Sequence, residues 1–192
     1  SFGQEIEQED EVLLSVDVGY NSAYRNDSWV PIEVLVHNEQ SDIEGVLVVR
    51  TYDSMKRLQS PVYHLAVNCP KDSRKRFQLM AHLDNADRVE AWIYENGRPA
   101  IDVPAYVQVR PIGQDDLLGL ILDDDRNAAL NYQFLNIAIE RVKPGVRFYR
   151  QPVSTHEIGR LPTHIEAYEP FDFIVIGEID PGRVPVDRKS VG

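Results

Sequence analysis

The sequence predicts an immunoglobulin-like β-sandwich over residues 11–112, followed over residues 113–192 by part of an α/β domain with a parallel sheet. Three observations support this fold class. Before Ile112, apolar residues alternate with polar ones in seven short segments, which is the period of a half-buried strand. Turn residues separate these segments about every ten residues, as in antiparallel sandwiches. After Ile112, continuous apolar runs and one stretch of helical spacing favour parallel strands joined by a helix.

The seven segments predicted as strands are short and rich in Val, Ile, Tyr or Phe. The clearest is Trp29–His37, in which Ile32 and Val34 share one face and Glu33 lies on the other. Asn96-Gly97 lies between two apolar segments and predicts a two-residue hairpin turn. The Cys-Trp-Cys signature of antibody domains is absent, so the prediction concerns the sandwich architecture alone. The predicted strands are Val12–Val18, Trp29–His37, Ile43–Tyr52, Val62–Val67, Arg76–Leu83, Val89–Tyr94 and Ala105–Val109.

The second half has the order of elements that begins a flavodoxin-like domain. Apolar residues recur at every fourth position after residue 127, which predicts a helix with Asp125 or Asn127 as its N-cap. Residues 113–192 are too few for a complete doubly wound domain, so we expect the first portion of a larger one. A self-sufficient three-stranded unit is the alternative. The predicted elements are the strands Leu117–Leu122, Val146–Tyr149 and Phe171–Gly177 and the helix Asn127–Val142, whose recurring apolar residues are Leu130, Phe134, Ala138 and Val142.

The composition excludes several classes of protein. The 192 residues include 20 Lys and Arg against 31 Asp and Glu, a net charge of −11, and acidic residues are in excess on both sides of Ile112. An acidic surface repels phosphates, so we expect no nucleic-acid partner. A single cysteine, Cys69, excludes an intrachain disulfide and a multi-cysteine metal site. No apolar run reaches the roughly 18 residues of a membrane span, and residues 1–10 are predicted to be a disordered lead-in.

Three consecutive aspartates, Asp123, Asp124 and Asp125, follow the first predicted parallel strand. Ligands of open α/β sheets bind at the carboxyl ends of the strands, and carboxylates are suitable ligands for Mg²⁺. Gly177 ends the third predicted strand and Glu178 follows it, so both would lie at the same edge of the sheet. A magnesium-binding switch or an enzyme site is therefore one hypothesis for these residues. The alternative is helix capping by solvated carboxylates.

The basic residues Lys71, Arg74, Lys75 and Arg76 cluster at a predicted turn of the sandwich. They would form a docking patch for an acidic partner, or else a solvated hairpin tip. Cys69 precedes this cluster on the same predicted turn, where no neighbouring base indicates a nucleophile. The five histidines lack a metal-ligand spacing, and phosphate-binding and nucleophile-elbow motifs are absent. We therefore predict no catalytic residue, no cofactor and no resident metal.

The arrangement of turns and apolar runs resembles that of certain predicted bacterial membrane proteins. The strands of WVPIEVLVHNEQSDIEGVLVVRTYD, the turn CPKDSRKRF and the hairpin YENGRP resemble their extracytoplasmic immunoglobulin-like domain. In those proteins a class I glutamine-amidotransferase-like domain follows. The segments LLGLILDDD and LPTHIEAYEPFDFIVIGEIDPG are similar to the first strand of that domain and to the approach to its third strand.

The resemblance implies a periplasmic or cell-surface location, in a protein anchored to the membrane by segments outside this chain. It carries over no catalytic residue: Gly177-Glu178 stands where active amidotransferases have a glycine-rich loop, and their cysteine elbow would follow Gly192. We therefore expect a non-catalytic recognition or scaffolding fragment with an unidentified protein partner. The magnesium switch is the competing hypothesis. A homodimer formed through an apolar edge of the unfinished sheet is a third.

Overall fold

The computed structural model describes residues 12–19, 22–123, 132–153, 161 and 164–177, with the side chains of all but residues 150–153. Over these residues the chain is mostly β-strand, and its antiparallel sheets are consistent with the predicted β-sandwich. The lead-in predicted for residues 1–10 lies outside the described residues. No described helix is long and apolar enough to cross a membrane.

The observed elements follow the predicted order along the chain. The strands are β1 (Val12–Val18), β2 (Ala23–Arg25), β3 (Ser28–Asn38), β4 (Ile43–Tyr52), β5 (Tyr63–Cys69), β6 (Ser73–Leu83), β7 (Arg88–Glu95), β8 (Arg98–Pro99), β9 (Ala105–Gln108), β10 (Arg110–Ile112), β11 (Leu117–Leu122), β12 (Phe148–Val153) and β13 (Phe173–Ile176). The helical segments are α1 (Gln133–Val142) and a 3-10 helix (Ile165–Tyr168). Strands β1, β4 and β11 have the predicted bounds, and the other predicted strands differ by a few residues at their ends.

The alternation pattern does not predict the short strands β2, β8 and β10. Two or three residues are too few to show a period. The predicted hairpin is confirmed: Asn96 and Gly97 have φ angles of 50° and 76° and join β7 to β8. Positive φ at both central residues is the geometry of a type I′ turn, whose twist matches that of the flanking strands.

Contacts between residues divide the chain into two compact units. The first comprises Ser1–Ser22, Pro31–Ala81 and Asn85–Arg110, and the second comprises Ala23–Val30, His82–Asp84 and Pro111–Gly192. Two short segments of the predicted sandwich therefore belong to the second unit.

Two antiparallel sheets supply most of the first unit. One has the strand order β1-β3-β6, and the other has the order β5-β4-β7-β8, with β9 also paired to β7. Ile32 and Val34 of β3 are fully buried, as the alternation predicts. Leu47 of β4 and Ile93 of β7 are cross-strand partners and are also fully buried. Because successive side chains of a strand point to opposite faces, the intervening residues of β4 and β7 face outward.

The second unit contains a parallel sheet with the strand order β12-β11-β13. This is the predicted parallel pairing, and Leu120 and Ile121 of the central strand β11 are fully buried. Gly119 lies between the rings of Phe148 and Phe173, whose centroids are 5.2 Å apart. A Cβ atom at residue 119 would lie 2.7 Å from both rings. Glycine at this position therefore lets the two aromatic rings stack over the central strand.

Residues 127–131 of the predicted helix lie outside the described residues. The described helix starts at Gln133, whereas the prediction starts at Asn127, and the predicted N-caps Asp125 and Asn127 lie outside the described residues. Tyr132 occupies the N-cap position, and no side chain caps the helix there. The Tyr132 hydroxyl instead donates to Asp123 Oδ2 at 2.7 Å, which ties this residue to the end of β11.

The apolar row of α1 is exposed, contrary to what its spacing indicates. Phe134, Ile137 and Val142 are each more than half exposed, and the helix contains no buried residue. Helical spacing identifies an apolar face, but only packed neighbours bury it. Among the described residues, the second unit leaves this row uncovered.

Arg25, on β2, is a polar centre of the second unit. Its guanidinium donates to the carbonyl oxygens of Pro170 at 3.1 Å and Asp116 at 3.2 Å, and to Asp172 Oδ2 at 2.6 Å. The same Asp172 oxygen accepts the backbone N–H of Leu118 at 2.8 Å. One arginine thus joins β2 to the residues that immediately precede β11 and β13.

Candidate functional site

The outward side chains of β4, β7 and β9 form the most elaborate polar arrangement on the first unit. Cross-strand register places Arg50 opposite Glu90, Tyr52 opposite Arg88, and Glu90 opposite Tyr106. Pairs that lie directly opposite on one face of a sheet are within reach of each other. We call this arrangement the outer-face network; it consists of Arg50, Tyr52, Arg88, Glu90, Trp92, Tyr94 and Tyr106.

Arg50 connects two tyrosines of the outer-face network. Its guanidinium donates to the Tyr94 hydroxyl at 3.1 Å, and its Cζ lies 5.7 Å from the centroid of the Tyr94 ring. A second hydrogen bond joins Arg50 to Tyr52. Partial burial opposes the charge of Arg50, but the bonds to both tyrosines raise the pKa of its guanidinium above the ordinary value. Arg50 is therefore a fixed positive charge on this face.

Glu90 is a nearly buried carboxylate at the centre of the outer-face network. Its exposed fraction is 9%. One oxygen pairs with the Arg88 guanidinium at 2.6 Å, and the other accepts the indole N–H of Trp92 at 3.3 Å. Tyr52 also hydrogen-bonds to Glu90, and burial together with this bond raises the pKa of Tyr52. The Glu90 carboxylate holds its donor side chains in place. If one donor moved away, the nearly buried negative charge of Glu90 would lose part of its compensation.

Arg88 extends the outer-face network to the exposed strand β9. Its Cζ lies 4.1 Å from the centroid of the Tyr106 ring, and the Tyr106 side chain is 58% exposed. Its Nε is buried without a hydrogen-bond partner among the described residues. The network therefore runs without interruption from Tyr94 to Tyr106, and its arginines are held by aromatic rings, by tyrosine hydroxyls and by the Glu90 carboxylate.

A groove of about 890 Å³ borders the outer-face network on the side of β5. Val46, Val48 and Ala66 line it from β4 and β5, and Leu58 lines it from the connection between these strands. Val46 and Leu58 are among the exposed large apolar side chains of the first unit. The groove is therefore mostly apolar. Arg50 and Tyr94 line it on the network side and His64 lines it from β5, whereas Glu44, Asn68 and Asn96 line its other end.

The structure brings together two of the residues predicted at the strand ends of the parallel sheet. Asp123 is buried and follows β11, and Gly177 follows β13. A Cβ atom at residue 177 would collide with Asp123 Oδ2 and with the Tyr132 hydroxyl that donates to it. Asp124, Asp125 and Glu178 lie outside the described residues. In the described part of the chain, no group of three His, Cys, Asp or Glu side chains is placed to hold a metal ion.

The four basic residues at the predicted turn are spread over different surfaces. Arg76 pairs with Glu33 of the adjacent strand β3 at 3.2 Å. Lys75, at the next position of β6, donates to the backbone carbonyl of Asn68 at 2.7 Å. Arg74 is exposed on β6, and Lys71 is exposed at the turn before it. A single docking patch would use all four cations together, whereas alternation along β6 points Lys75 away from Arg74 and Arg76.

Cys69 is placed differently from its prediction. It is the last residue of β5 and is fully buried, rather than part of an exposed turn. The Asn38 side-chain amide donates to its carbonyl oxygen at 2.8 Å, which secures this end of the strand. Burial raises the pKa of the Cys69 thiol, against a smaller opposing effect of Lys75. A buried thiol with a raised pKa is a structural residue and not a nucleophile.

This placement predicts that Cys69 is unreactive in the folded chain. At pH 8 we expect a thiol reagent such as DTNB to label it at least a hundredfold more slowly than in 6 M guanidinium chloride, because the folded thiol is both inaccessible and less ionised. Raising the pH from 8 to 9 should increase the native rate by a larger factor than the denatured rate, because a thiol of raised pKa stays further below its midpoint. Rapid labelling of the native chain at pH 8 would contradict the buried position.

None of the outer-face network is among the sequence-predicted site residues, although a signal for it is present in the sequence. Tyr52, Trp92 and Tyr94 fall at positions where the alternation of β4 and β7 predicts outward side chains. Large aromatic side chains at outward positions are typical of contact surfaces. Their connection through Glu90 depends on cross-strand register, which the alternation does not fix.

The fold and the network define a β-sandwich domain with a preformed aromatic and charged outer face. Residues 11–108 match the family described as a domain of unknown function (DUF8726). The match spans just over half of the chain, and the chain therefore belongs to this family. No curated protein matches the sequence.

Several solved structures are similar to part of the chain. A β-glucuronidase from glycoside hydrolase family 2 is 13% identical over 56% of this chain, with a TM-score of 0.41. A β-glucosidase from Listeria innocua is 11% identical over 55%, with a TM-score of 0.38. The CARDB domain of a Pyrococcus furiosus protein, in complex with di-metal ions, is 14% identical over 54%, with a TM-score of 0.37. The similarity covers 14% and 16% of the two glycosidases and 89% of the CARDB chain.

Proposed function

We propose that this chain is a non-catalytic recognition or scaffolding part of a larger protein and that it binds its partner through the outer face of β4, β5 and β7. The observation that carries the proposal is the outer-face network beside an apolar groove. Binding energy at protein interfaces concentrates in Trp, Tyr and Arg side chains. Because the described network is already fixed by its own hydrogen bonds, a partner would not have to order these side chains, and their entropy would not oppose binding.

We further propose that the parallel sheet begins a flavodoxin-like, glutamine-amidotransferase-like domain. The strand order β12-β11-β13, with α1 between β11 and β12 in the chain, supports this assignment. The exposed apolar row of α1 is what a further layer of such a domain would cover. A bacterial, membrane-anchored and extracytoplasmic parent protein is the context that the sequence resemblance implies.

The recognition proposal is tested by mapping where small organic probes bind. We expect phenol and N-methylacetamide to shift the backbone amide NMR signals of β4, β5 and β7 outer-face residues more than any others. Val46→Lys, which places a charge in the groove at a 37% exposed position, should abolish these shifts without unfolding the chain. Leu13→Lys, at a 49% exposed position of β1, is the matched control and should leave them unchanged. Probes that accumulate instead on α1 would overturn the proposal.

The competing proposal is a magnesium-binding switch or enzyme at the strand ends of the parallel sheet. The observation that favours it is the close approach of Asp123 and Gly177, which leaves a buried carboxylate at the edge where α/β sheets bind ligands. Titration of the same labelled sample with MgCl₂ separates the two proposals. Saturable shifts centred on Asp123 and Gly177 would favour the magnesium site over a purely scaffolding chain.

The homodimer stays a prediction. Ile174 and Ile176 of β13 are exposed, and β13 is at an edge of the described parallel sheet. An exposed apolar edge strand favours pairing with a second chain. A strict monomer by light scattering at high concentration would count against it.

A further inference from the structure

We propose that the groove on the outer face binds an extended peptide segment of a partner protein, with a carboxylate at the Arg50 end, a cation at the Glu44 end and apolar side chains between them. This inference rests on the recognition function proposed above and names the chemistry of the ligand. The occupant is a strand-like segment that lies along β4 and contacts it through every second side chain.

The middle of the groove fits alternate apolar side chains. Val46 and Val48 are two residues apart on β4 and face the same side, with Ala66 opposite Val46 in register on β5. An extended peptide also places every second side chain on one face, at the same spacing of roughly 7 Å. Two apolar side chains of a partner strand would therefore lie over Val46, which is 37% exposed, and over the mostly buried Val48, with Leu58 also lining the groove.

The Arg50 end of the groove is suited to a carboxylate. The hydrogen bonds described for Arg50 go to the neutral hydroxyls of Tyr94 and Tyr52, which leave its charge uncompensated. Glu90 is directly opposite in register but pairs with Arg88 at 2.6 Å. Guanidinium groups form their strongest pairs with carboxylates, through two parallel hydrogen bonds. A partner carboxylate at this position would supply the missing charge.

The other end of the groove has two carboxylates against one ammonium: Lys75 Nζ donates at 2.7 Å to the backbone carbonyl of Asn68, which also lines this end. Glu44 lines this end, and Glu95 is held beside it because its Oε1 accepts the backbone N–H of Glu44 at 3.2 Å. Glu44 and Arg50 are six residues apart on one strand, which is about 20 Å in extended backbone. The groove therefore presents opposite charges at its two ends, and a peptide of about seven residues would match both.

The polar groups of this face favour a peptide over a saccharide. Saccharides need many free donors and acceptors, whereas the Glu90 oxygens bond Arg88 and Trp92, and the Tyr94 hydroxyl accepts a hydrogen bond from Arg50. The groove lining is mostly apolar, which suits aliphatic side chains and not sugar hydroxyls. The peptide is therefore the occupant for which the chemistry of both the middle and the ends is complementary.

The test uses the blocked heptapeptide acetyl-Lys-Ser-Val-Ser-Val-Ser-Glu-amide with the full chain. Its first, third, fifth and seventh side chains face one side, as the groove requires. We expect saturable NMR shifts in β4 and β5, and binding at least fivefold weaker for acetyl-Ser-Lys-Val-Ser-Val-Glu-Ser-amide. The second peptide has the same composition, but its charges point away from the face.

Charge exchange makes the test specific. Glu44→Lys should weaken the binding of the first peptide about tenfold. Replacing the peptide's lysine by glutamate should restore binding to this variant. Arg50→Gln should also weaken binding, but Arg50 belongs to the outer-face network, so a substitution at the exposed Glu44 is the primary variant. Equal binding of both heptapeptides, failure of the exchange to restore binding, or saturation by cellohexaose without peptide binding would overturn the inference. If organic probes still accumulate in the groove, the recognition proposal survives that result, since only the ligand class would be wrong.

Discussion

Replacing Gly45 by alanine is expected to lower the free energy of unfolding of the first unit by about 3 kcal/mol, near the upper end for a forced fit in a packed interior. A Cβ atom at residue 45 would collide with the carbonyl oxygen of Tyr94 and lie 3.1 Å from its carbonyl carbon. These are backbone atoms of the paired strand β7, so relief requires the strands to move apart. The change should also disturb the outer-face network, because Tyr94 belongs to it.

The measurement of this effect can use one tryptophan per unit. Trp92 lies in the first unit and Trp29 in the second. Chemical denaturation of the Trp29→Phe chain, followed by Trp92 fluorescence, therefore reports the first unit. Val46→Ala, at the next position of β4, removes only a partly exposed side chain and is the matched control, with an expected loss below about 1 kcal/mol. If Gly45→Ala lowered the free energy of unfolding no more than the control does, that result would contradict the close approach of the two strands.

Replacing Arg25 by alanine is expected to destabilise the second unit by about 2 kcal/mol, the usual scale for hydrogen bonds to a charged group. The change removes donors from the carbonyls of Pro170 and Asp116 and leaves the Asp172 carboxylate with the Leu118 amide. Since this ion pair is partly exposed, we attribute the loss mainly to the hydrogen bonds and not to the Coulomb attraction.

Denaturation of the Trp92→Phe chain, followed by Trp29 fluorescence, measures the loss in the second unit. Arg74→Ala removes an exposed arginine of β6 and should have almost no effect. Asp172→Asn should reproduce part of the Arg25 effect, because the amide is a weaker acceptor for both donors. A second unit of unchanged stability without Arg25 would show that these contacts are not important for its folding.

The Arg25 contacts also affect how the chain can be divided. A cut after residue 112 follows the change in sequence period. The fragment that starts at residue 113 would lack β2, whose Ala23 packs with Ile112 and Leu118 in one apolar cluster of the second unit. Local periodicity cannot reveal that the second unit depends on β2, because the residues of the cluster are far apart in the sequence. Arg25 itself lies in a strand too short to show an apolar period.

The sequence by itself determined the elements whose physical cause is local. Alternation of apolar and polar residues placed β1, β3 and β4, and the turn preference of Asn96-Gly97 placed the hairpin between β7 and β8. A continuous apolar run identified β11, the buried centre of a parallel sheet. These signals are readable because the side-chain period and the turn conformation depend only on neighbouring residues.

Tertiary structure decided burial and the composition of the sites. Spacing alone does not place Cys69 in the core or leave Phe134 of α1 exposed, since both depend on which elements pack nearby. Register across β4 and β7 brings Arg50, Glu90 and their aromatic neighbours into one network, and a shift of one residue would send these side chains to the opposite face. Residues distant in sequence become one surface only through strand pairing, which is why the candidate site was visible in the fold and not in the motifs.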